Sequence, residues 1–229
     1  PFNVATYNYA GQVWPLPQTG QMWLEHELLS SPDSKGFFCV STSYRQEPNA
    51  IPGRHDIIFP MFEFEMPGDI NDLKKMEYEL CDHLGFDKPT EKTYAEWQEH
   101  FAMEPTQEME ASHEISMFNN FGSTMITDFP EMTSPFWNMS RYEGGATSKK
   151  IDVILGGMET IGSAERSCDV DMMRDTFHTI TDGAYAKLLF ELFGKERVEA
   201  ELEKFLEFDF FPRVGGGIGM TRMIAALDK

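Results

Sequence analysis

The alternation of apolar and polar residues predicts both strands and helices. Residues 37–44, FFCVSTSY, are aromatic and β-branched, which is typical of a buried strand. After a polar loop from Arg45 to Arg54, residues 57–66 predict a second strand, so the two form a long antiparallel hairpin. In this second strand Glu63 and Glu65 alternate with apolar residues. Both carboxylates therefore face the same side of the predicted sheet.

Helices are predicted where apolar residues recur every three or four positions. The predicted helices are Gln21 to Leu29 with Thr19 as N-cap, Asp69 to Leu84, Asp171 to Phe193, and, after Gly194, Glu196 to Phe208. The further predicted strands are Thr124 to Asp128, Phe136 to Ser140 and Ile151 to Leu155. Antiparallel strands with helices inserted between them indicate an α+β fold. The length favours a single domain over residues 1–229.

The charge and composition restrict the function classes. With 19 Lys and Arg against 38 Asp and Glu, the formal net charge is -19, which repels nucleic acid from most of the surface but leaves room for a local basic pocket. No apolar run suits a membrane helix and no signal peptide opens the chain, so we expect a cytoplasmic protein. The chain begins at Pro1 without a methionine, and we expect an upstream segment to be missing. The three cysteines lack zinc-site spacing and predict reduced thiols in apolar surroundings.

The C-terminal segment FPRVGGGIGMTRM contains three consecutive glycines, Gly215 to Gly217, shortly before Arg222. Such a run does not favour a strand, because glycine loses most on ordering and offers nothing to pack. We expect something to approach this backbone closely, such as a nucleotide, with Arg222 contacting phosphate or base. A tight strand-to-helix corner explains the glycines equally well. The segment is not a Walker loop, because no Gly-Lys-Ser/Thr follows.

Charged residues also mark the loop of the predicted hairpin. Arg45 and Glu47 stand at the end of the first strand, and Arg54 and His55 follow across the loop. An arginine that leaves a buried strand is suited to bind phosphate or carboxylate in bidentate fashion. The alternative is a solvated hairpin tip that carries charge without binding anything.

Two sets of carboxylates have alternative interpretations. If Glu63 and Glu65 face inward, a bound cation, an ammonium group or an arginine must compensate them. Alternation alone favours the other case, an ordinary outward polar face. Asp152, Glu159 and Arg166 are spaced by seven and seven residues. The two acids could hold Mg²⁺ with substrate phosphates while Arg166 recognises a substrate carboxylate, or Asp152 and Arg166 could form a plain salt bridge.

Taken in order, these segments resemble the catalytic domain of class II aminoacyl-tRNA synthetases of the aspartate, asparagine and lysine subgroup, and the related aspartate-ammonia ligase. YRQE with Arg54, His55 and FPMFEFEM is similar to the family's motif 2, and GGGIGMTRM is similar to motif 3, in the form of the ammonia ligase. LPQTGQMWLE resembles the segment that lines the amino-acid pocket. IDVILGGMETIGSAER resembles the family's late strand pair. The resemblance covers Val13 to Leu227 and implies an antiparallel sheet flanked by helices.

The resemblance implies a set of site residues. Those expected at ATP are Arg45, Glu47, Arg54, His55, Phe59 and Arg222, of which Arg45 at the α-phosphate and Arg222 at adenine would be catalytic. Those expected at the amino acid are Gln21, Glu25, Glu63, Ser163 and Arg166. Gln21 and Glu63 would hold the α-amino group, and Arg166 would pair with a side-chain carboxylate or amide. Asp152 and Glu159 would bind Mg²⁺.

The resemblance also implies a reaction in which the substrate carboxylate attacks the α-phosphorus of ATP and leaves an aminoacyl-adenylate. No anticodon-binding domain is visible, and with the net charge of -19 this favours a small acceptor over tRNA. We expect ammonia, which would turn aspartate into asparagine. The alternatives are activation of Asp or Asn for another amine, a carrier or tRNA, and an inactive paralogue that binds ATP or an amino acid as a regulator. Thr221 and Leu24 depart from the family pattern in ways that bear on side-chain specificity. A homodimer is expected.

Overall fold

The computed structural model describes residues 4–45, 51–54 and 56–229. Its strands are β1 (Thr6–Tyr9), β2 (Gln12–Pro15), β3 (Phe37–Tyr44), β4 (Ile58–Pro67), β5 (Thr90–Thr93), β6 (Thr124–Pro130), β7 (Thr147–Leu155), β8 (Met158–Arg166) and β9 (Arg213–Gly219). Its helices are α1 (Gln21–Ser30), α2 (Ile70–His83), α3 (Tyr94–His100), α4 (Ala111–Phe121), α5 (Val170–Thr179), α6 (Ala184–Phe193), α7 (Lys195–Leu206) and α8 (Met220–Leu227). Short 3₁₀ turns span Glu131–Thr133 and Ile180–Gly183.

The main sheet has the strand order β3-β4-β9-β8-β7-β6-β5, and β1 and β2 form a separate hairpin. Neighbouring strands of the main sheet run antiparallel except for β5 and β6. The predicted hairpin of β3 and β4 is present, with Phe37 opposite Glu65. The predicted α+β fold, a largely antiparallel sheet with flanking helices, is confirmed.

One face of the sheet packs against α2 and α8. Leu73 of α2 and Met223 of α8 join strand residues such as Ile151, Ile161 and Val214 in a buried apolar cluster. Asp69 is the N-cap of α2, and its carboxylate accepts hydrogen bonds from the backbone amides of Asn71 and Asp72 in a capping box. Because strand side chains alternate between faces, the residues between those of the cluster lie on the opposite face. That face is open to the cavity described below.

The glycine run forms the middle of strand β9, between β4 and β8, so the expectation that it would not be a strand is wrong. A Cβ on Gly215 would lie 2.0 Å from Oε1 of Glu65, and one on Gly217 would lie 2.5 Å from Cε of Met61. Side chains of the neighbouring strand β4 therefore cross directly over this backbone. The close approach that we expected at the glycines is made first of all by the protein itself.

Two predicted elements are different in the structure. Residues 136–140 form a turn with one isolated bridge, between Met139 and Arg166, rather than a strand. The guanidinium of Arg141 donates to the carbonyls of Phe136 and Met139, which holds this segment as a turn. The helix predicted from Asp171 to Phe193 is broken into α5 and α6 at the Ile180–Gly183 turn.

The start of α1 also differs from the prediction. Gly20, not Thr19, occupies the cap position. The hydroxyl of Thr19 accepts from the Gln21 amide and donates to the carboxylate of Glu63, so strand β4 determines where it points. Sequence pattern alone contains no information about this partner from 44 positions away.

The cysteines are reduced, as predicted, but their surroundings vary. Cys81 is buried in the apolar cluster and Cys39 is partly buried. Cys168 is exposed, so the expectation of apolar surroundings is wrong for it. Among the helices of the described residues, none has both the length and the apolar character needed to cross a membrane.

Candidate active site

A cavity of about 470 Å³ lies on the face of the central strands opposite α2. Many predicted site residues line it together: Gln21, Glu25, Arg45, Arg54, Phe59, Glu63, Glu159, Ser163, Arg166 and Arg222. Asp152 lies beside the cavity wall, in contact with the lining residue Lys150. Glu47 and His55 lie outside the described residues. Segments distant in the sequence therefore converge on one pocket.

One end of the cavity carries arginines whose charge is available to a ligand. Arg45, at the end of β3, is exposed, and its guanidinium lies 5.4 Å from the ring centroid of Phe59. Arg222 donates to the backbone carbonyls of Glu159 at 2.7 Å and Arg54 at 3.2 Å. Carbonyl groups orient a guanidinium without cancelling its positive charge. This end is therefore suited to an anionic ligand with an aromatic ring.

Arg54 differs from these two arginines. Its Nη2 lies 2.6 Å from Oε2 of Glu114 on α4, and its Nη1 donates to the carbonyl of Gly157 at 3.4 Å. The charge of Arg54 is thus compensated within the protein. Its predicted contact with outer phosphates has to compete with Glu114.

Glu63 is fully buried, so the outward orientation favoured by alternation is wrong. Its carboxylate accepts hydrogen bonds from the hydroxyl of Thr19, from the amide of Gly20 at 2.8 Å and from the hydroxyl of Ser41 at 2.6 Å. All three donors are neutral. No Lys, Arg or His among the described residues forms an ion pair with Glu63. The carboxylate therefore brings negative charge to the cavity wall beside Gln21.

Glu65 is also fully buried, and an arginine compensates it. Its Oε1 accepts from Nε of Arg166 at 3.0 Å and from Nη2 of Arg166 at 2.5 Å. Arg166 also donates to the side-chain oxygen of Gln21 at 3.2 Å. Burial raises the pKa of Glu65 to about 7, while the charge of Arg166 opposes that rise. Arg166 therefore forms its ion pair with Glu65, and the interpretation that pairs it with Asp152 is wrong.

Glu25 lines the cavity but is bound to the protein on both oxygens. Oε1 accepts from Nε of Arg213 at 2.9 Å and Nη2 at 2.5 Å, and Oε2 accepts from the Asn138 side chain at 2.7 Å. All three side chains are buried. Glu25 thus anchors α1 to β9, and its predicted contact with the substrate would share these oxygens with Arg213 and Asn138. This pair was not predicted from the sequence, and the signal that could have found it is the charged Arg213 directly before the uncharged residues of β9.

Asp152 and Glu159 converge on the other side of the cavity. Oδ1 of Asp152 and Oε1 of Glu159 lie 3.5 Å and 3.0 Å from the point that a Cβ on Gly162 would occupy. Oδ2 of Asp152 contacts Nζ of Lys150 at 2.5 Å, whereas Oδ1 is buried and has no hydrogen-bond partner. Burial, with Glu159 nearby, raises the pKa of Asp152 to about 7 despite Lys150. No group of three or more acidic, His or Cys side chains suited to a metal occurs among the described residues.

Ser163 and Glu77 form a buried contact that the sequence did not predict. The hydroxyl of Ser163 donates to Oε1 of Glu77 at 2.5 Å, so it is directed toward α2 and away from a substrate. Burial raises the pKa of Glu77 to about 8. Glu77 lies four residues from Leu73 and from Cys81, on the apolar stripe of α2, and that position was the signal for a buried acid.

The fold is shared with synthetases of known structure. Asparaginyl-tRNA synthetase from Pyrococcus horikoshii, complexed with asparaginyl-adenylate, superposes with a TM-score of 0.78 at 18% identity, over 98% of this chain and 56% of that chain. Aspartyl-tRNA synthetase from Entamoeba histolytica superposes with a TM-score of 0.73 at 18% identity, over 93% of this chain and 49% of that chain. The chain thus spans about half the length of these proteins. At this identity the likeness shows the fold alone.

Sequence comparison with protein families identifies the group. No curated protein sequence matches the chain significantly. The family model described as tRNA synthetases class II (D, K and N) matches residues 1–229. The resemblance noted from motifs 2 and 3 is therefore confirmed across the chain, and the chain belongs to the class II tRNA synthetase family of the D, K and N group.

Proposed function

We propose that this chain activates an amino acid with ATP and forms an aminoacyl-adenylate, with asparagine as the amino acid that its pocket fits best. The observation that carries the proposal is the convergence of Arg45, Arg222, Glu63 and Arg166 on one cavity. The first two offer positive charge, Glu63 offers negative charge, and Arg166 is already compensated by Glu65. This distribution fits a ligand that is anionic at one end and zwitterionic at the other.

The nucleotide end would hold ATP through Arg45 at the α-phosphate and through Phe59 and Arg222 at the adenine. Support comes from the exposed guanidinium of Arg45 beside the Phe59 ring and from the fixed orientation of Arg222. Glu47 and His55, which lie outside the described residues, are assigned to the adenine amino group and the outer phosphates from the motif 2 resemblance alone.

Asp152 and Glu159 fit a Mg²⁺ ion. The unpartnered, buried Oδ1 of Asp152 is an acceptor that requires a cation or donor, and Glu159 converges on the same place. Magnesium is commonly bound through one or two carboxylates together with substrate phosphates and water, so a third protein ligand is not required. When bound, Mg²⁺ would neutralise charge on the departing pyrophosphate.

The amino-acid end would hold the α-ammonium group against Glu63 and the amide oxygen of Gln21. A buried carboxylate with only neutral donors has a negative charge left for a cation. The Glu65–Arg166 pair offers a donor and an acceptor side by side with no net charge. A carboxamide matches such a pair better than a carboxylate does, which favours asparagine over aspartate.

The chemistry needs alignment more than a base. The α-carboxylate of the amino acid attacks the α-phosphorus, the bond to the bridging oxygen breaks, and pyrophosphate leaves with the electron pair. Arg45 would bind the non-bridging α-phosphate oxygens, where charge is concentrated in the transition state. Gln21 and Glu63 would fix the carboxylate in line by holding the neighbouring amino group.

A second candidate is activation of aspartate with transfer to ammonia. It is favoured by the GGGIG-x-x-R form of the glycine segment with Thr221 before the arginine, and by the net charge of -19, which disfavours a tRNA partner. In this case Arg166 would pair with the substrate carboxylate. A homodimer is compatible with either candidate, whereas transfer to another amine, a carrier or tRNA is compatible with the first alone.

Amino-acid-dependent exchange of labelled pyrophosphate into ATP tests the proposal. We expect exchange with asparagine, weaker exchange with aspartate, and background rates with lysine. Exchange with aspartate alone, accompanied by asparagine formation when ammonia is added, would support the second candidate. No exchange with any amino acid would contradict both and leave the inactive, ligand-binding regulator.

A further inference from the structure

Lys150 is a cation built into the wall of the cavity. Its Nζ lies 2.5 Å from Oδ2 of Asp152 and 3.8 Å from the centroid of the Phe129 ring. Asp152 and Phe129 hold the ammonium group on neighbouring strands, β7 and β6. Lys150 also lines the cavity itself, as Glu159 does. Its charge therefore acts on the same space that would receive the outer phosphates.

The two carboxylate oxygens of Asp152 have different surroundings. Oδ2 is bound to Lys150, whereas Oδ1 is buried without a partner and converges with Glu159 at Gly162. A divalent cation at this place would gain one oxygen from each acid. It would also experience the repulsion of the Lys150 ammonium group a few ångströms away.

The charges that face Lys150 come from several elements. Asp152 lies on its own strand, Glu159 on β8 and the Tyr94 hydroxyl on α3, and Glu114 of α4 acts on Asp152. The Lys150 ammonium group is thus paired with Asp152 at the wall of the cavity.

We propose that Lys150 is an internal counter-cation that occupies one oxygen of Asp152, so that the acidic pair binds free divalent cation weakly and takes it up together with the triphosphate. The proposal rests on the proposed function for the divalent-cation site at Asp152 and Glu159 and for the identity of the nucleotide. The phosphates carry negative charge that offsets the repulsion from Lys150. In the free protein the phosphate charges are missing, and Lys150 neutralises part of the charge of the acidic pair.

Binding of Mn²⁺ to the nucleotide-free protein tests this directly, with electron paramagnetic resonance to count free Mn²⁺ at pH 8. Lys150→Met removes the charge and keeps an unbranched side chain against Phe129. We expect this variant to bind Mn²⁺ about tenfold more tightly than the unmodified protein, because a nearby repulsive charge is lost. With ATP present, the difference between the two proteins should shrink.

Lys149→Met is the matched control. Lys149 precedes Lys150 on the same strand, but its Nζ pairs with Glu165 at 2.6 Å. Its loss changes the net charge equally, and it should leave Mn²⁺ affinity within about twofold. A gain in Lys149→Met equal to that in Lys150→Met would overturn the proposal, because it would show a general charge effect.

Further variants separate the site from the folded state. In the Lys150→Met background, Asp152→Asn should abolish the gain in Mn²⁺ affinity. Lys150→Arg keeps the charge and should bind Mn²⁺ as weakly as the unmodified protein, which remains measurable if Lys150→Met does not fold. Tight Mn²⁺ binding by the unmodified protein or by Lys150→Arg would overturn the proposal, and so would unchanged weak binding in folded Lys150→Met. None of these titrations requires turnover, so their outcome is independent of pyrophosphate exchange.

Discussion

Glu63 and Glu65 make an instructive comparison because they share almost everything except their partners. Both project from the same face of β4, and both are fully buried. Glu63 is surrounded by two hydroxyl groups and a backbone amide, all neutral. Glu65 is bound twice by the guanidinium of Arg166. Hydrogen bonds alone satisfy the oxygens of a carboxylate, whereas an arginine also cancels its charge.

Under the proposed function, this difference would let a single strand distinguish the two ends of an amino acid. The Glu63 region retains negative charge, as an α-ammonium group requires. The Glu65 region has no net charge, because Arg166 compensates the carboxylate, and an uncharged side-chain amide requires such surroundings. Four predictions follow this contrast, in order of decreasing effect.

Arg166→Met should produce the largest change, because it leaves Glu65 buried without its counter-charge. Removing one partner of a buried ion pair costs about 3–5 kcal/mol of the free energy of unfolding. Urea denaturation measures this cost. The double variant Glu65→Met/Arg166→Met should recover most of the loss, since two apolar side chains need no compensation.

Arg174→Met is the control for that experiment. Arg174 also contacts a glutamate, Glu203 at 2.8 Å, but on the exposed surface. Such pairs contribute about 0–1 kcal/mol. Equal destabilisation by the two arginine variants would mean that burial of the Glu65–Arg166 ion pair does not increase the free energy lost when its arginine is removed.

Glu63→Gln should weaken the use of the amino acid without disturbing ATP. The glutamine keeps a hydrogen-bonding side chain of the same size but removes the charge that would face the ammonium group. We expect kcat/KM for the amino acid in pyrophosphate exchange to fall by about a hundredfold, corresponding to loss of one buried charge pair. The KM for ATP should stay within about twofold. An unchanged kcat/KM for the amino acid would remove Glu63 from the ammonium site.

The preference for asparagine over aspartate should depend on pH. Burial raises the pKa of Glu65 to about 7, so its proton is bound below that value and lost above it. Protonation leaves Arg166 with net positive charge, which favours aspartate, and deprotonation restores a neutral pair. The ratio of kcat/KM for asparagine to that for aspartate should therefore rise by about tenfold from pH 6 to pH 8. A flat ratio would show that Glu65 keeps one protonation state.

The smallest predicted effect is a change in the alkylation rate of the Cys39 thiol. Burial raises the pKa of this thiol, and the negative charge of Glu63 raises it further. Glu63→Gln should lower that pKa and speed alkylation by iodoacetamide at pH 8 by about threefold. Glu65→Gln serves as the comparison and should leave the rate unchanged. The exposed Cys168 is replaced by serine in all proteins compared, so that it does not contribute.

The sequence predicted the hairpin of β3 and β4, the helix α2 and the set of residues around the cavity, because periodicity and ordered motifs report local structure and family. It did not predict which carboxylate has which partner. Glu65 meets Arg166 from 101 positions away, and Glu25 meets Arg213 from 188 positions away. Such partners are determined by strand order, which local patterns do not contain.

Strand β9, which contains the glycine run, also depends on strand order that local patterns do not contain. Propensity correctly marked Gly215 to Gly217 as needing a special reason. The reason, crossing side chains such as Glu65 and Met61, depends on the neighbouring strand β4 and on its register. The alternation of Glu63 and Glu65 likewise placed them on one face, but burial depended on α1 and the loop before it, which cover that face.

Titration calorimetry with two stable adenylate mimics, in which a sulfamate replaces the phosphate, tests the central contrast most directly. The mimics carry asparagine or aspartate and are otherwise identical, so the difference in their affinity isolates the region of Glu65 and Arg166. At pH 8 we predict that the asparaginyl mimic binds at least about tenfold more tightly, a difference of about 1.4 kcal/mol. Equal affinity, or tighter binding of the aspartyl mimic, would contradict the account.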